Sequence, residues 1–493
     1  MDHFLRLYRS DQVRELDRRA IEEQGIPGYT LMNRAGEAVF RAIRTRWPEA
    51  RALTICCGGG NNGGDGYVVA RLAREAGLGV QLIALKDPQQ LAGDAKRAAR
   101  DWLESGGQVD ALEERLRGDV VVDALLGTGL DRAAAGDYAR LIGHVNDAGR
   151  SVLAVDLPSG LSADTGMPLG PCIRADVTVS FIGRKRGLHT GQAGRWCGTQ
   201  VFDDLLVPRA VYEALDSDAH LLDPASLGQW LPPRAADTHK GDLGHVLVIG
   251  GDSGMAGAPI LAGRAALRTG SGLVSLATRS SHAAVALSCQ PELMVHGVEE
   301  LGELDELIER AEVLALGPGL GKSDWSRALW RRALAADRPV VIDADGLNLL
   351  IDPENPFDVA DLANAVLTPH PGEAARLLDC SAADIQSDRF AAVRELARRH
   401  AAVVVLKGHG TLIADRDGTV SVCPCGNPAM ATAGMGDALT GIIASLIGQG
   451  LSPFDAASAG VLIHGLAGDW AARGRRQILA SDLIAALHRV LPG

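Results

Sequence analysis

Between residues 51 and 181 one pattern recurs: a short run that is β-branched and apolar on both faces, then a run of helical period ending near a glycine. The short runs are RALTICC (51–57), VQLIAL (80–85), DVVVDAL (119–125), SVLAVDLP (151–158) and DVTVSF (176–181). YVVARLAREAG, DAKRAARDWLESG and DYARLIGHVNDAG lie between them. A strand apolar on both sides needs cover on both sides, which points to a parallel sheet between helical layers. Two more helical segments, about 10–24 and 30–46, precede it. The pattern resumes with GHVLVIGG (244–251), APILAGRAALRTG, GLVSLAT, EVLALGPG, PVVIDAD, NAVLTP and AVVVLKG, then a long helical run from Gly434. Residues 209–240, with prolines, scattered acids and no sustained period, read as a connection. The expectation is an α/β chain of two three-layer α/β/α domains, which suits 493 residues.

Composition narrows the partners. The chain has 61 acidic against 49 basic residues, a net charge of −12 and only 4% aromatics, which argues against nucleic acid. No apolar run reaches membrane-spanning length and the opening MDHFLRLYRSDQ has no apolar signal core, so a cytoplasmic protein without a membrane partner is expected. Cys56-Cys57 and Cys423-Pro424-Cys425 lack zinc-site spacing and read as free thiols.

The first candidate site is CCGGGNNGGDGYVVARLA (56–73), in which Gly58, Gly60 and Gly63 satisfy G-x-G-x-x-G. Glycines between a buried strand and a helix free backbone N–H groups for a phosphate. The match alone is weak, and Asp87 after the next strand leaves an ordinary nicotinamide-binding loop possible on this count. That reading has no use for Asn61, Asn62 and Asp65. Two further strand ends carry Asp123, followed by Gly127-Thr128-Gly129, and Asp156 with Ser159. Strand ends of one parallel sheet share an edge, so these loops converge on one crevice. Asn62, Asp123 and Ser159 offer hard oxygens for a monovalent or divalent cation, although Asp123 and Asp156 could equally cap turns.

In this order GNNGGDGYVVAR, VDALLGTGL, VDLPSGLSADTG and FIGRKRGLHTG resemble the NAD(P)H-hydrate epimerase family, a Rossmann-like domain here expected over 1–218. That family interconverts the R and S forms of NADHX and NADPHX, reduced nicotinamides hydrated at C6. The resemblance implies that Asn61, Asn62, Gly63, Gly64, Asp65, Gly127, Thr128, Gly129, Leu130, Asp131, Arg132, Ala133 and Asp156 contact substrate. It also implies that Asn62, Asp123 and Ser159 hold a potassium ion (K+). Epimerising a hemiaminal carbon needs proton transfer at the hydroxyl or ring nitrogen, and Asp156 is the candidate acid–base group. Lys185 either balances charge there or is a surface lysine.

In the second half GGDSGMAGAP (250–259), LTPHPGEAARLL, VVLKGHGT (404–411) and GNPAMATAGMGDALTGIIASL (426–446) each join glycine to a polar group at a strand end or helix start. Gly434 and Gly436 open a helix whose N–H groups form an anion hole, and Asp437 could take a proton from an attacking hydroxyl. Alone, Asp437 could merely complement the helix dipole. GPGLGKSD (317–324) imitates a P-loop but has Leu316 where that motif needs glycine. The set HKGDLGHVLVIGGDSGMAGAP, ALGPGLG, IDADGLN, TPHPGE, KGHGT and NPAMATAGMGD is similar to ADP-dependent NAD(P)H-hydrate dehydratases of the ribokinase-like superfamily, over 225–493. The resemblance implies that Ala258, Gly319, His370 and Asp437 bind the hydrated nucleotide, Asp437 as catalytic base. Lys407, Gly408, His409, Gly410, Thr411 and Gly436 would bind ADP, which brings Mg2+. His409 stands where the family more often has alanine. A homo-oligomer is expected. The competing readings are a ribokinase-type small-molecule kinase with a non-catalytic Rossmann-like module, and a NAD-dependent dehydrogenase.

Overall fold

The computed structural model describes residues 3–112, 115–354, 362 and 364–492; the outer ends of the expected domains, 1 and 493, lie outside them. The chain forms two compact units, Met1–His220 and Leu221–Gly493. No helix among the described residues is long and apolar enough to cross a membrane.

In the first unit the strands are β1 (Ala52–Cys57), β2 (Gly79–Ala84), β3 (Val120–Ala124), β4 (Ser151–Val155), β5 (Val177–Phe181) and β6 (Thr199–Asp203). They pair in parallel in the order β2-β1-β3-β4-β5-β6. Both faces are covered, as the apolar runs require. Val120 and Val122 pack with Leu16, Val39 and Trp102 on one side, while Val121 packs with Leu141, Ile142 and Val145 on the other. The expected helices are present at Ser10–Glu22, Gly28–Arg46, Gly93–Glu104 and Gly136–Asp147. β6 was not expected from the sequence: it is an edge strand, half-exposed along its length, and TQVFD lacks the two-sided apolar signal.

The glycine stretch corrects a second expectation. It is not a loop that ends before Tyr67; the helix runs Asn61–Glu75, with Gly60 as its N-cap. Its glycines serve close approach rather than left-handed turns. A Cβ on Gly63 would stand 2.1 Å from the Gly58 carbonyl oxygen, and one on Gly66 would stand 2.7 Å from the Ala124 Cβ. The helix start therefore packs directly on the main chain of the preceding turn and on the strand side chains, with no room for a Cβ. Gly63→Ala is expected to lower stability by about 3 kcal/mol, the upper end of overpacking costs, read as an earlier thermal transition of this unit.

In the second unit β7 (His245–Ile249), β8 (Leu273–Thr278), β9 (Met294–Gly297), β10 (Val313–Leu316), β11 (Val340–Ile342), β12 (Ala365–Leu367) and β13 (Val403–Leu406) are parallel. β14 (Leu412–Ala414) and β15 (Val420–Val422) follow antiparallel, giving the order β9-β8-β7-β10-β11-β12-β13-β14-β15. β9, β14 and β15 were not expected from the sequence; β9 is only half-buried along its length. The Gly257–Thr269 and Met435–Gly448 helices touch through their backbones, a Cβ on Gly441 falling 2.0 Å from the Ala262 carbonyl oxygen. The 209–240 stretch holds short pieces, among them helices Arg209–Glu213 and Leu227–Trp230.

Each sheet reverses its winding once, and there the strand ends part to leave a crevice. In the first unit this lies between β1 and β3, where Gly58 N–H donates to Ala124 O at 2.9 Å. In the second it lies between β7 and β10, where Gly251 and Asp252 N–H donate to Pro318 O and Gly319 O.

Candidate active sites

The first crevice opens into a cavity of about 900 Å³. Asn61, Asn62, Asp65, Gly127, Thr128, Gly129, Leu130, Asp131, Arg132, Ala133 and Asp156 line it. Gly63 and Gly64 do not; they lie behind the helix start, a Cβ on Gly64 meeting Met32 and Ala95. Asp156 ends β4 at φ 68°, a left-handed conformation that costs a non-glycine residue energy and recurs at functional positions. It ion-pairs with Lys185, which is 1% exposed and also donates to Phe181 O at 2.9 Å and Ser180 Oγ at 3.1 Å. The surface-lysine alternative for Lys185 is thereby corrected: β5 and the turn after it carry the lysine inward.

Three carboxyl groups share this one buried cation. Asp17, on the Ser10–Glu22 helix, lines the cavity with Asp65 and Asp156. Burial, aided by the Asp156 charge, pushes Asp65 well above the ordinary carboxyl range. Burial likewise raises Asp17 to about 6, against the pull of Lys185. Asp17 was missed from sequence, because an acid in an amphipathic helix looks like its solvated face.

Asp123 and Ser159 sit deeper, fully buried. Ser159 donates to the Asp123 carboxylate through its hydroxyl at 2.6 Å and its backbone N–H at 2.8 Å. Burial raises Asp123 to about 6 despite those bonds. Both polar atoms of the Asn62 amide are buried without a hydrogen-bond partner, beside Gly127. A buried amide left unmade costs about 1–3 kcal/mol, so this group calls for a ligand. The oxygens of Asn62, Asp123 and Ser159 fit a hard monovalent cation; among the described residues no group of three His, Cys, Asp or Glu side chains offers a transition-metal site. Asp87 caps the 3-10 turn Pro88–Gln90, accepting from Gln89 N–H at 2.9 Å.

In the second unit the central group is Asp343, which the sequence reading passed over inside IDADGLN. It is 1% exposed, ends β11, and accepts from Lys407 Nζ at 2.7 Å and Thr440 Oγ1 at 2.9 Å. Burial works against its ionisation, but Lys407 and the hydrogen bonds outweigh it and hold Asp343 below the ordinary range. Lys407 also lies 3.8 Å from Glu373, and a Cβ on Gly436 would stand 3.2 Å from both Lys407 Nζ and Asp343 Oδ2. Asp437 follows in the first turn of its helix, with Gly434 as N-cap at φ 87°. Burial first, then the Asp343 charge, raises Asp437 to about 6.

His370 caps the Pro371–Leu378 helix: its Nδ1 accepts from Gly372 N–H at 2.9 Å and Glu373 N–H at 3.3 Å, so its Nε2 carries the proton. Gly408, His409, Gly410 and Thr411 turn after β13, with Gly408 at φ 141° and Gly410 at φ 58°. Under this turn lies Arg389, also unforeseen, donating to Leu406 O at 3.0 Å. Ala258 and Gly319 adjoin at the switch point, and the 317–321 loop reaches the Asp343–Asp345 turn through Gly321 N–H to Asp345 Oδ2 at 2.9 Å. Ser323 caps the Asp324–Leu334 helix and donates to Asp252 at 2.7 Å, so GPGLGKSD is a helix entry and not a P-loop.

Comparison with known proteins agrees in both units. The model of a family described as NAD(P)H-hydrate dehydratase matches residues 246–489, and that of the YjeF-related protein N-terminus matches 28–187. A bifunctional NAD(P)H-hydrate repair enzyme of Coxiella burnetii is 48% identical over 98% of both chains. Its namesake in Escherichia coli is 44% identical over 98% of this chain and 93% of its own. Among solved structures, a ribokinase-like superfamily protein of Enterococcus faecalis superposes on 56% of this chain and 99% of its own at 28% identity, with a TM-score of 0.52.

Proposed function

The chain belongs to the family of bifunctional NAD(P)H-hydrate repair enzymes, an epimerase followed by a dehydratase, and from that premise we propose how its residues divide the work. One observation carries the reading. In each unit a carboxylate held by a lysine, Asp156 or Asp343, stands beside a carboxyl raised by burial, Asp65 or Asp437. A carboxylate fixed by a cation beside a carboxyl raised by burial is an arrangement suited to acid–base work.

In the epimerase domain, 1–218, the hydrated nicotinamide lies in the cavity with its C6 hydroxyl toward Asp156, which moves the proton. Asn62, Asp123 and Ser159 would hold K+, which when bound supplies positive charge beside the nucleotide phosphates. In the dehydratase domain, 225–493, Asp437 takes the proton of the C6 hydroxyl as ADP's terminal phosphoryl passes to it. The N–H groups opened by Gly434 and Gly436 receive the charge that develops, and Lys407 neutralises it. Phosphate then leaves with the ring nitrogen's electrons behind it, C5 loses a proton, and NAD(P)H is restored beside AMP and phosphate. Ala258, Gly319 and His370 bind the nicotinamide nucleotide; Lys407–Thr411 and Gly436 bind ADP. Mg2+ would arrive on the ADP phosphates, whose charge it neutralises, as an ion bound mainly through substrate does. The same reading makes the enzyme a cytoplasmic homo-oligomer.

The test is purified protein given mixed R and S NADHX with ADP, then with ATP, followed by the absorbance of reduced nicotinamide. Recovery is expected to exceed the S share. Recovery that stops at the S share removes the epimerase claim, and a stable phosphorylated product without NADH marks a ribokinase-type kinase instead.

A further inference from the structure

We propose that Asp17 is a second catalytic residue of the epimerase, the acid that protonates the substrate's ring nitrogen while Asp156 takes the hydroxyl proton. The inference rests on the epimerase reading above.

Its ground is the count of charges around the cavity. Asp17, Asp65 and Asp156 all line it, and Lys185 is the one buried cation among them. Lys185 is committed to Asp156, Ser180 and Phe181. A single ammonium cannot offset three carboxylates in a partly desolvated site, so the cluster retains protons. The Ser10–Glu22 helix is fixed in place: a Cβ on Gly183, two residues before Lys185, would meet Leu16 at 3.0 Å and Val13 at 3.3 Å, and Ser10 N–H donates to Asp164 at 2.7 Å. Asp17 follows Leu16 directly and faces the cavity that Lys185 lines. The charged and titratable groups about it are Arg14 on its own helix, Asp65, Asp156, Lys185, and Tyr212 from the Arg209–Glu213 helix.

Burial raises both acids that do not pair with Lys185. Asp17, raised to about 6, can release and regain a proton near neutral pH, and it reaches the cavity from the Ser10–Glu22 helix, whereas Asp65 shares the glycine helix with Asn62. The step balances without any co-reactant. The C6 hydroxyl gives its proton to Asp156 and its O–H electrons become the second C6–O bond. The C6–N1 bond breaks, its electron pair goes to N1, and N1 takes the proton from Asp17. Rotation about C5–C6 presents the other face of the aldehyde, and the reverse transfers close the ring with inverted configuration.

The experiment compares wild type, Asp17→Asn and Asp17→Glu in the full chain. The readouts are R-to-S interconversion, dehydration of pure S epimer, melting temperature, and the pH profile of interconversion. Asp17→Asn is expected to slow interconversion about 100-fold with S dehydration unchanged and the melting temperature no lower than that of wild type. The fall of the wild-type rate above pH 6 should vanish with it, and Asp17→Glu should restore part of the rate. Wild-type interconversion and pH profile in Asp17→Asn overturn the inference. So does an equal loss in Asp17→Asn and Asp17→Glu accompanied by a lower melting temperature, which marks a structural role. If wild type itself fails to interconvert the epimers, the epimerase reading falls first.

Discussion

Replacing Asp437 with asparagine is expected to abolish repair and, at neutral pH, to raise the melting temperature. The loss is the removal of the general base: rates should drop by about 10³-fold or more, with interconversion untouched and both epimers persisting at their equilibrium ratio. The gain follows from linkage. Asp437 has its folded-state pKa raised to about 6 from 3.8, so folding binds a proton there between those values. A carboxyl of that kind favours the fold below pH 3.8 and loses its contribution as pH rises through 6. Above that the folded protein carries a disfavoured charge costing at most about 3 kcal/mol, which asparagine does not carry. Melts at pH 4 and pH 7.5 should therefore show no difference at the first and a more stable variant at the second. A variant less stable than wild type at pH 7.5 refutes the account, and activity within tenfold of wild type refutes the catalytic role.

The second large effect belongs to Lys185→Met. The lysine is buried and partners Asp156 directly, so its loss strands a carboxylate in a poorly solvated pocket, at a cost of about 3–5 kcal/mol. Interconversion should fall to background while S dehydration persists in the other unit. The deficit should depend on pH with a definite sign. Without the ammonium the charged carboxylate is left without its partner, so the penalty is largest where that charge is fully present and smaller in acid. Urea unfolding at pH 8 and pH 5 reads this directly. A deficit equal at both values shows lost packing and not a stranded charge.

The architecture was legible because its signal is long. Five apolar runs in the first unit and six in the second became parallel strands, since burial on both faces leaves no alternative composition. Edges and hairpins were not legible: β6 is half-exposed, and β14 and β15 form an antiparallel hairpin outside the alternation of strand and helix. For the sites, residues at strand ends announced themselves through flanking glycines, which is how Asp123, Asp156 and Asp437 were found. Asp17, Asp343 and Arg389 stayed hidden for separate reasons. Asp17 sits in a helix rich in exposed charges, where one more acid carries no signal, Asp343 reads as a turn acid, and Arg389 lies among the basic residues of Arg389–His400, where nothing marks the one that points inward. The glycine stretch was located correctly and misjudged in conformation. Sequence shows that side chains are missing there; only the fold shows that the missing atoms make room for Gly58, Ala124 and Leu125.

That packing bears on how the enzyme can evolve. A Cβ at Gly58 would fall 1.8 Å from the Leu125 carbonyl oxygen, and those at Gly63 and Gly66 clash nearly as hard. The smallest substitution is then a displacement of ångströms, with no graded series of intermediates between the present geometry and another. Adaptation between the two nucleotide forms must proceed at the rim, where Asp131 and Arg132 are 83% and 88% exposed and can change without moving the main chain. The floor of the site passes from ancestor to descendant as a unit, and its edge is where lineages can diverge.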